Sequence, residues 1–342
     1  MENPFTLSFG EKPQSYIDRV VQKSIITQTF AMKHPTTHAF MIVGIRGSGK
    51  TLMLSDLSQE FKGDKSWTVI NLSADADLLS ESVTELQSLP ALQPTHIDMG
   101  LNLAVVNVSR QIQEPGCDYS VLLRQQIRKL NDAGKKIIFF IDEVVNNDYV
   151  RAFCSNFQVM LRERMPVFLV MAGLYENISD LQNVKTLTFL YRTPKIYLDP
   201  LNIPTIAEYY RSMLGISSAE AIAMAKETKG YPFAFQILGY LRFRQQKPYT
   251  ELFEAYDQLL AEYVYDRIWT ELSEMDKKVV MVIASGTTKI KDIREAMQIT
   301  PQLLNVYRNR LMRVGIADGS HRGELTLTLP RFDRFIDLYG VI

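Results

Sequence analysis

The chain has 342 residues, 46% of them hydrophobic and 22% charged, and its 38 Lys and Arg balance 38 Asp and Glu. That length and apolar content provide for about two or three domains with substantial cores and exclude a disordered chain, while a net charge of zero excludes a protein that coats nucleic acid over its whole surface and leaves room only for a local basic patch. The longest apolar runs, "IIFFI" and "VFLVMAGL", fall far short of the roughly 18 residues that cross a bilayer, and the opening "MENPFTLSFGEKP" has no basic start followed by an apolar core, so a cytoplasmic protein is expected.

In chain order, "HAFMIV" (38–43) ends in Gly44 and is followed by "KTLMLSDLSQEF", whose apolar positions recur at helical spacing. This predicts strand, loop, helix. "SWTVINL" reads as a second strand, and residues 73–118 give mixed signals that assign no element. A helix from about Ser120 to Ala133 should stop at Gly134, after which "KKIIFFIDE" is a continuous apolar strand expected to lie centrally in its sheet. "DYVRAFCSNFQVMLRER" predicts a helix and "PVFLVMAGL" a buried strand; "PKIYLDPL" gives one more strand after a helical or irregular stretch. Strands alternating with helices imply a parallel α/β sheet. The two cysteines, Cys117 and Cys154, are far apart and lack paired His or Cys neighbours, which predicts buried thiols and neither a disulfide nor a zinc site.

From Pro204 the strand signals cease. Helix starts and stops are announced by Pro204, by the capping box Ser217 to Glu220, by Gly230 and by Pro232. A third composition begins near Ser273 with the capping pattern Ser273 to Asp276, three short helical stretches, and then "IADGSHRGELTLTLP", two alternating strands around a Gly-rich turn. Three helices followed by a β-hairpin is winged-helix order. The expected division is residues 1–200 for the α/β domain, 201–268 for an all-helical unit and 269–342 for a winged helix.

The loop after the first strand carries the chemistry. Gly44, Gly49, Lys50 and Thr51 satisfy G-x-x-x-x-G-K-[ST], with Ile45, Arg46, Gly47 and Ser48 between them and Leu52 just beyond. Glycines let successive backbone N–H groups point at phosphate oxygens, and the following helix adds its positive N-terminal end. Lys50 is expected to reach the β- and γ-phosphates of ATP, and the Thr51 hydroxyl to ligate Mg²⁺. The competing reading, a Gly-rich turn with a surface lysine, is disfavoured by the strand and helix that flank the motif. At the end of "IIFFIDE", Asp142 is placed to hold Mg²⁺, and Glu143 to orient and deprotonate the attacking water. An acidic pair that merely caps a strand is the alternative. A carboxylate at Glu143 favours hydrolysis over phosphorylation of a small molecule, and no arginine cluster of a substrate lid supports a P-loop kinase.

The order P-loop, acidic pair, helical lid, winged helix resembles the AAA+ ATPases, and within them the bacterial and archaeal ATPases related to replication-initiator and origin-recognition proteins. The likeness covers nearly the whole chain. "NPFTLSFGEKPQSYIDR" looks like that group's N-terminal adenine-side segment, with Asp18-Arg19 where Gly-Arg is usual. "LTFLYRTPKIYLDPL" is similar to the stretch with the family's arginine finger, which makes Arg192 the candidate to reach the γ-phosphate of a neighbouring subunit in a homo-oligomer; an ordinary surface arginine is the alternative. The polar sensor usual after the fourth strand is replaced by Ala172-Gly173-Leu174, with Asn177 nearby, and Phe233 stands where initiator-like members carry a second sensor arginine. Gly230-Tyr231-Pro232 instead looks like the G-x-P signature of the signal-transduction ATPases with numerous domains. That likeness implies nucleotide contact by Tyr231 and Pro232; a plain helix cap is the alternative. Fewer polar sensors imply slow turnover, so a nucleotide-controlled switch is expected.

In the last domain Thr300, Pro301 and Gly315 delimit a helix, with Leu303, Leu304, Tyr307, Leu311 and Val314 on one face and Gln302, Asn305, Asn309 and Arg313 opposite. Amides and guanidiniums read base edges in a major groove, and Arg322 in the "GSHRGE" turn is placed to meet a phosphate. Residues 277–342 contain 11 Lys/Arg against 6 Asp/Glu, a net of +5. Duplex DNA is therefore one expected partner, and a protein partner for a signalling switch is the other.

Overall fold

The computed structural model describes residues 2–8, 12–92 and 118–340. Cys117 and residues 93–117 of the unassigned stretch lie outside them. Two compact units emerge: one holds residues 1–19, 44–52 and 197–342, the other 20–43 and 53–196.

The second unit is built on a five-stranded sheet of β1 (Ala39–Val43), β2 (Trp67–Ser73), β3 (Lys136–Asp142), β4 (Val167–Gly173) and β5 (Lys195–Tyr197), in the order β2-β3-β4-β1-β5. β1, β3 and β4 are the strands read as continuous apolar runs, and they pair in parallel, with Phe40 opposite Val170 and Ile138 opposite Phe168. Every residue of β1 and β4 is buried, as a parallel sheet covered on both faces requires. β3 is internal, between β2 and β4, while the middle position belongs to β4. Among the described residues of this unit, six helices accompany the strands: α1 (Val20–Ala31), α3 (Leu78–Gln87), α4 (Tyr119–Asp132), α5 (Asp148–Arg162), α6 (Tyr175–Gln182) and α7 (Thr188–Tyr191); α2 (Lys50–Lys62) begins in the other unit. Alternate strand residues Met41, Ile70, Phe139, Ile141 and Met171 share a core with Leu86, Ile127, Val150 and Phe153. The complementary positions meet an aromatic cluster: Phe168 lies 4.8 Å from Phe30 and 4.9 Å from Trp67, and Phe61 4.7 Å from Trp67. Cys154 is fully buried, and desolvation pushes its thiol up to about 12.

Two helices here were not legible. α1 buries only Ile26 and Phe30 while Val20, Val21 and Ile25 are exposed, so its apolar residues trace no single face. α3 starts at Asp77, whose carboxylate accepts from Leu79 N and Ser80 N, and it buries Leu78, Ser82, Val83 and Leu86. A serine in the buried face, satisfied by donating to Leu78 O at 2.6 Å, hid that period.

The first unit is mainly helical: α8 (Ile203–Leu214), α9 (Ser218–Glu227), α10 (Pro232–Gln245), α11 (Phe253–Leu260), α12 (Asp266–Glu271), α13 (Glu274–Ala284), α14 (Ile290–Met297), α15 (Pro301–Arg313) and α16 (Phe332–Tyr339), with a π-helical turn at Ala261–Tyr265. The punctuation is physical. Asn202 caps α8, Ser217 caps α9 and Thr300 caps α15, each accepting from an N–H three residues on, and Pro232 opens α10. The Ser217 box closes on one side only, because the Glu220 carboxylate takes Arg242 Nε at 2.9 Å. Between α15 and α16 a short antiparallel pair forms, β6 (Ala317–Asp318) with β7 (Thr326–Leu327), and Lys289 bridges Glu324.

One core runs through this unit, from Phe5, Tyr210 and Phe235 to Tyr265, Trp269, Phe332 and Phe335. Arg310 pairs with the buried Asp276, Arg331 pairs with Asp257 and lies 4.3 Å from the Phe253 ring centre, and the Tyr265 hydroxyl donates to Pro330 O at 2.6 Å. α16 was also unforeseen, although Phe332, Phe335 and Ile336 repeat at helical spacing and are buried. Among the described residues no helix is long and apolar enough to cross a membrane.

The N-terminal segment is fastened by Phe5, which is 2% exposed, with its ring 5.5 Å from that of Phe235. Thr6 N and Ser15 Oγ both donate to Gln236 Oε1. A Cβ on Gly239 would lie 2.5 Å from two atoms of the Phe5 ring. Gly239→Ala is therefore expected to cost about 1–3 kcal/mol, the usual range for overpacking, as measured by chemical denaturation; a neutral result would show that Phe5 is not seated there.

Candidate functional site

The loop between β1 and α2 is shaped by two left-handed residues, Gly47 at φ 71° and Gly49 at φ 90°. A side chain at either would be strained. A Cβ on Gly44 would stand 2.4 Å from Ser48 Oγ and 3.3 Å from Leu198 Cβ, so the chain approaches itself here as only glycine permits. Ser48 is 3% exposed, and its hydroxyl has no hydrogen-bond partner. Lys50 folds across the loop, its Nζ donating to Gly44 O at 2.9 Å and Ile45 O at 3.0 Å. Thr51 and Leu52 are half-buried in the first turn of α2.

Three side chains of the same unit hold this loop. Arg19 is 8% exposed and donates from Nη1 to Asp199 O at 2.9 Å and from Nη2 to Ser48 O at 3.2 Å. Desolvation lowers its pKa, yet a guanidinium stays charged. The Tyr231 hydroxyl donates to Arg46 O at 2.5 Å, and burial drives its phenol far from ionisation. Arg46 makes a forked ion pair with Glu271 of α12, its Nη2 at 2.6 Å and its Nε at 3.1 Å from Oε1. Pro232 is the first residue of α10, directly after Tyr231. A Cβ on Gly47 would meet Tyr231 Oη at 2.2 Å and Phe233 Cβ at 3.0 Å. Phe233 thus lies beside the loop.

In the other unit, Asp142 ends β3 and Glu143 follows at φ 49°, a left-handed conformation rare for a side-chain-bearing residue. The Glu143 N–H donates to Asp142 Oδ1 at 2.8 Å, and Val144 N returns to Ala172 O at 2.9 Å. Glu143 is exposed. Because the strands are parallel, Asp142 lies at the same edge of the sheet as Val43, the residue before the loop. At the end of β4 a Cβ on Gly173 would be tight, 3.1 Å from Val144 O and 3.3 Å from Ile178 Cγ1. Asn177 is half-buried on α6. Arg192 is the exposed C-cap of α7, beside Tyr191, which is 80% exposed. A cleft of about 390 Å³ lined by Ile127, Arg128, Glu163 and Arg164 opens before the starts of β3 and β4, the opposite edge from Asp142, and so takes no part in this site. Among the described residues no group of three or more His, Cys, Asp or Glu is placed to hold a metal.

No curated protein sequence matches this chain. Residues 262–336 match a family described as a Domain of unknown function (DUF8462). Among solved structures, a Walker-type ATPase of Pyrococcus abyssi is similar over 97% of this chain and 99% of its own, with 14% identity and a TM-score of 0.68. The ORC2 protein of Aeropyrum pernix, in its ADPNP–ADP complexes, is similar over 93% of this chain and 91% of its own, with 13% identity and a TM-score of 0.55. The fold is that of the origin-recognition-like AAA+ ATPases.

On this AAA+ fold the C-terminal candidates are spread along one helix and one turn. Gln302, Asn305 and Arg313 of α15 are exposed, as is Arg322, whereas Asn309 is half-buried. Leu303, read as inward, is 39% exposed. Leu304 and Leu311, at 1% and 0% exposure, define the buried line of the helix, and Leu303 lies roughly 100° round the axis from Leu304. Val306, 57% exposed, interrupts the polar stripe.

Sequence reasoning missed Arg19 as a support of the loop, and Glu271 altogether. Neither carried a signal, because their partners lie 29 and 225 residues away. The contact of Gly47 with the Tyr231 hydroxyl gives a stability test. Gly47→Ala is expected to cost more than the roughly 1–2 kcal/mol of a left-handed side-chain residue, and less in a Tyr231→Phe background, where the atom at 2.2 Å is gone. A double-mutant cycle by urea denaturation measures the difference; equal costs in both backgrounds would rule out that contact.

Proposed function

We propose that this protein is a Mg-ATP-binding, slowly hydrolysing AAA+ switch. The observation that carries the reading is the loop of residues 44–51: left-handed at Gly47 and Gly49, crossed by Lys50, and held by Arg19 and Tyr231. A run of backbone N–H groups leading into a helix N-terminus is the arrangement that binds phosphates. The buried, unpartnered Ser48 hydroxyl and the close approach at Gly44 fit the same cradle.

In this reading Lys50 exchanges the Gly44 and Ile45 carbonyls for the β- and γ-phosphates. Thr51 and Asp142 are the residues that would hold Mg²⁺, which when bound would neutralise charge on the phosphates. Tyr231 and Pro232 border the nucleotide, as the G-x-P likeness implies. Glu143 takes the proton of the attacking water as the water oxygen bonds to the γ-phosphorus and the bridging oxygen leaves with ADP. Its left-handed backbone supports this role, since a strain of about 1–3 kcal/mol persists only where the surroundings enforce it and concentrates at functional sites. Arg192, exposed at the end of α7, is the candidate to complete the site of a second copy. The missing polar sensors favour slow turnover.

Lys50→Ala is expected to abolish ATP binding in calorimetry while leaving the unfolding transition in place, because the lysine Nζ binds backbone carbonyls of the loop. Equal affinity would remove the loop from the account. Glu143→Gln should keep Mg-ATP and lose turnover by about 10²- to 10⁴-fold, the usual scale for a general base. Unchanged turnover would assign the base elsewhere.

The C-terminal elements have winged-helix order, and the exposed Gln302, Asn305, Arg313 and Arg322 within a segment of net charge +5 support duplex DNA as partner. A second reading, a protein partner in a signalling ATPase, is favoured by the exposed Leu303 and Val306 on the same helix. Fluorescence anisotropy on short duplexes separates them. For DNA, Arg322→Ala should weaken all sequences alike and lower the salt slope by about one, while Asn309→Ala should cost a preferred sequence about 1–3 kcal/mol more than a random one. Absence of duplex binding at about 50 mM salt would favour the protein partner.

A further inference from the structure

The corner between α9 and α10 carries two side chains that reach in different directions within one unit. Lys229 Nζ donates to Leu327 O at 3.1 Å and Leu329 O at 3.4 Å, in and just beyond β7. Two residues later, the Tyr231 hydroxyl donates to Arg46 O in the phosphate-type loop. The backbone between them is fixed. Lys229 and Gly230 are both left-handed, at φ 46° and 77°. Tyr231 N donates to Thr228 O at 2.8 Å, Gly230 N to Thr228 Oγ at 3.2 Å, and Leu201 N to Gly230 O at 2.7 Å. A Cβ on Gly230 would lie 2.5 Å from Leu201 O.

The hairpin in turn is tied to the end of α15. Thr328 Oγ donates to Gly315 O at 2.6 Å, Thr328 N to Ile316 O at 3.0 Å, and Arg308 Nη2 to Gly319 O at 3.3 Å. A path of hydrogen bonds at either end and covalent backbone between them therefore leads from the Arg46 carbonyl, through residues 229–231, to the hairpin and the helix that carries the exposed amides. A rigid element with a contact at each end passes displacement from one end to the other, because packed groups do not deform continuously.

We infer that Lys229, Gly230 and Tyr231 form a connector that couples the loop of residues 44–51 to the β6–β7 hairpin, so that a ligand seated on the loop alters the hairpin and the helix before it. Tyr231 positions the loop and Lys229 positions the hairpin. The nucleotide as the ligand that drives the connector rests on the function proposed above; the mechanical link stands on the contacts alone.

Hydrogen–deuterium exchange on the full chain tests both parts separately. Without any nucleotide, Lys229→Asn, which tolerates the left-handed backbone but is too short to reach the hairpin carbonyls, should speed exchange of the Ile45–Gly49 amides by about 2- to 30-fold, the range of typical coupling energies. Lys229→Arg, which keeps the donors, should restore the slow rate. Tyr231→Phe should speed exchange at Leu325–Thr328. α8 and α9 serve as the internal control, and their amides should be unchanged. A loop indifferent to Lys229→Asn, a hairpin indifferent to Tyr231→Phe, or an equal rise in α8 and α9 would overturn the connector. With Mg-ADP added to the native sequence, the loop amides should slow and the hairpin should respond, and Lys229→Asn should lose the hairpin response alone. A full hairpin response in that variant would also overturn the connector, whereas native loop amides indifferent to millimolar Mg-ADP would overturn the nucleotide reading and leave the connector to the ligand-free comparison.

Discussion

A loop rich in glycine cannot hold its own shape, and the rest of the candidate site depends on how that problem is solved. Gly47 and Gly49 gain their left-handed conformations at an entropic cost, because glycine has the most freedom to lose on folding. The Tyr231 hydroxyl on the Arg46 carbonyl, with Arg19 on the Ser48 carbonyl, anchors the backbone at two points from side chains that are themselves buried. Each anchor also satisfies a backbone carbonyl, that of Ser48 being buried. The result is a loop backbone fixed from outside itself, which in the proposed function spares an incoming anion the cost of ordering it.

The same solution makes the loop part of the helical unit. Residues 44–52 share a compact unit with residues 197–342, and the anchoring residues Tyr231 and Glu271 belong to elements whose core continues into the C-terminal helices. In proteins with a polar sensor, a side chain reports directly on the phosphates. Here a side chain at Gly173 would be tight against Val144 O and Ile178, and the likeness read from the sequence puts Phe233 where an arginine is usual. Backbone-directed contacts, by contrast, are abundant. A switch built this way would report the position of the loop more than the charge of its ligand.

What the sequence disclosed follows a physical division. Buried parallel strands are continuous apolar runs, so β1, β3 and β4 were legible within a residue or two, and the loop was legible because eight consecutive residues encode its conformation and its chemistry together. Helices after residue 200 were announced by Pro204, by the Ser217 box and by Pro232. α1 and α3 were not, since exposed valines blurred one apolar face and a buried serine broke the other. Leu303 was misread because one residue's step rotates a side chain by roughly 100°, enough to carry it from the core side to solvent. The anchors of the loop were out of reach altogether: Tyr231 is 185 residues from Arg46 and Glu271 is 225 away, and no single sequence states such a pairing.

The central claim is that residues 44–51 form a preorganised phosphate cradle held from the helical unit. The most direct measurement is a crystal structure with Mg²⁺ and a non-hydrolysable ATP analogue. The account predicts the β- and γ-phosphates on the loop N–H groups, Lys50 turned from the Gly44 and Ile45 carbonyls to the phosphate oxygens, and the Tyr231 hydroxyl still on the Arg46 carbonyl. Density for the triphosphate elsewhere, or an unchanged and empty loop at saturating ligand, would contradict it.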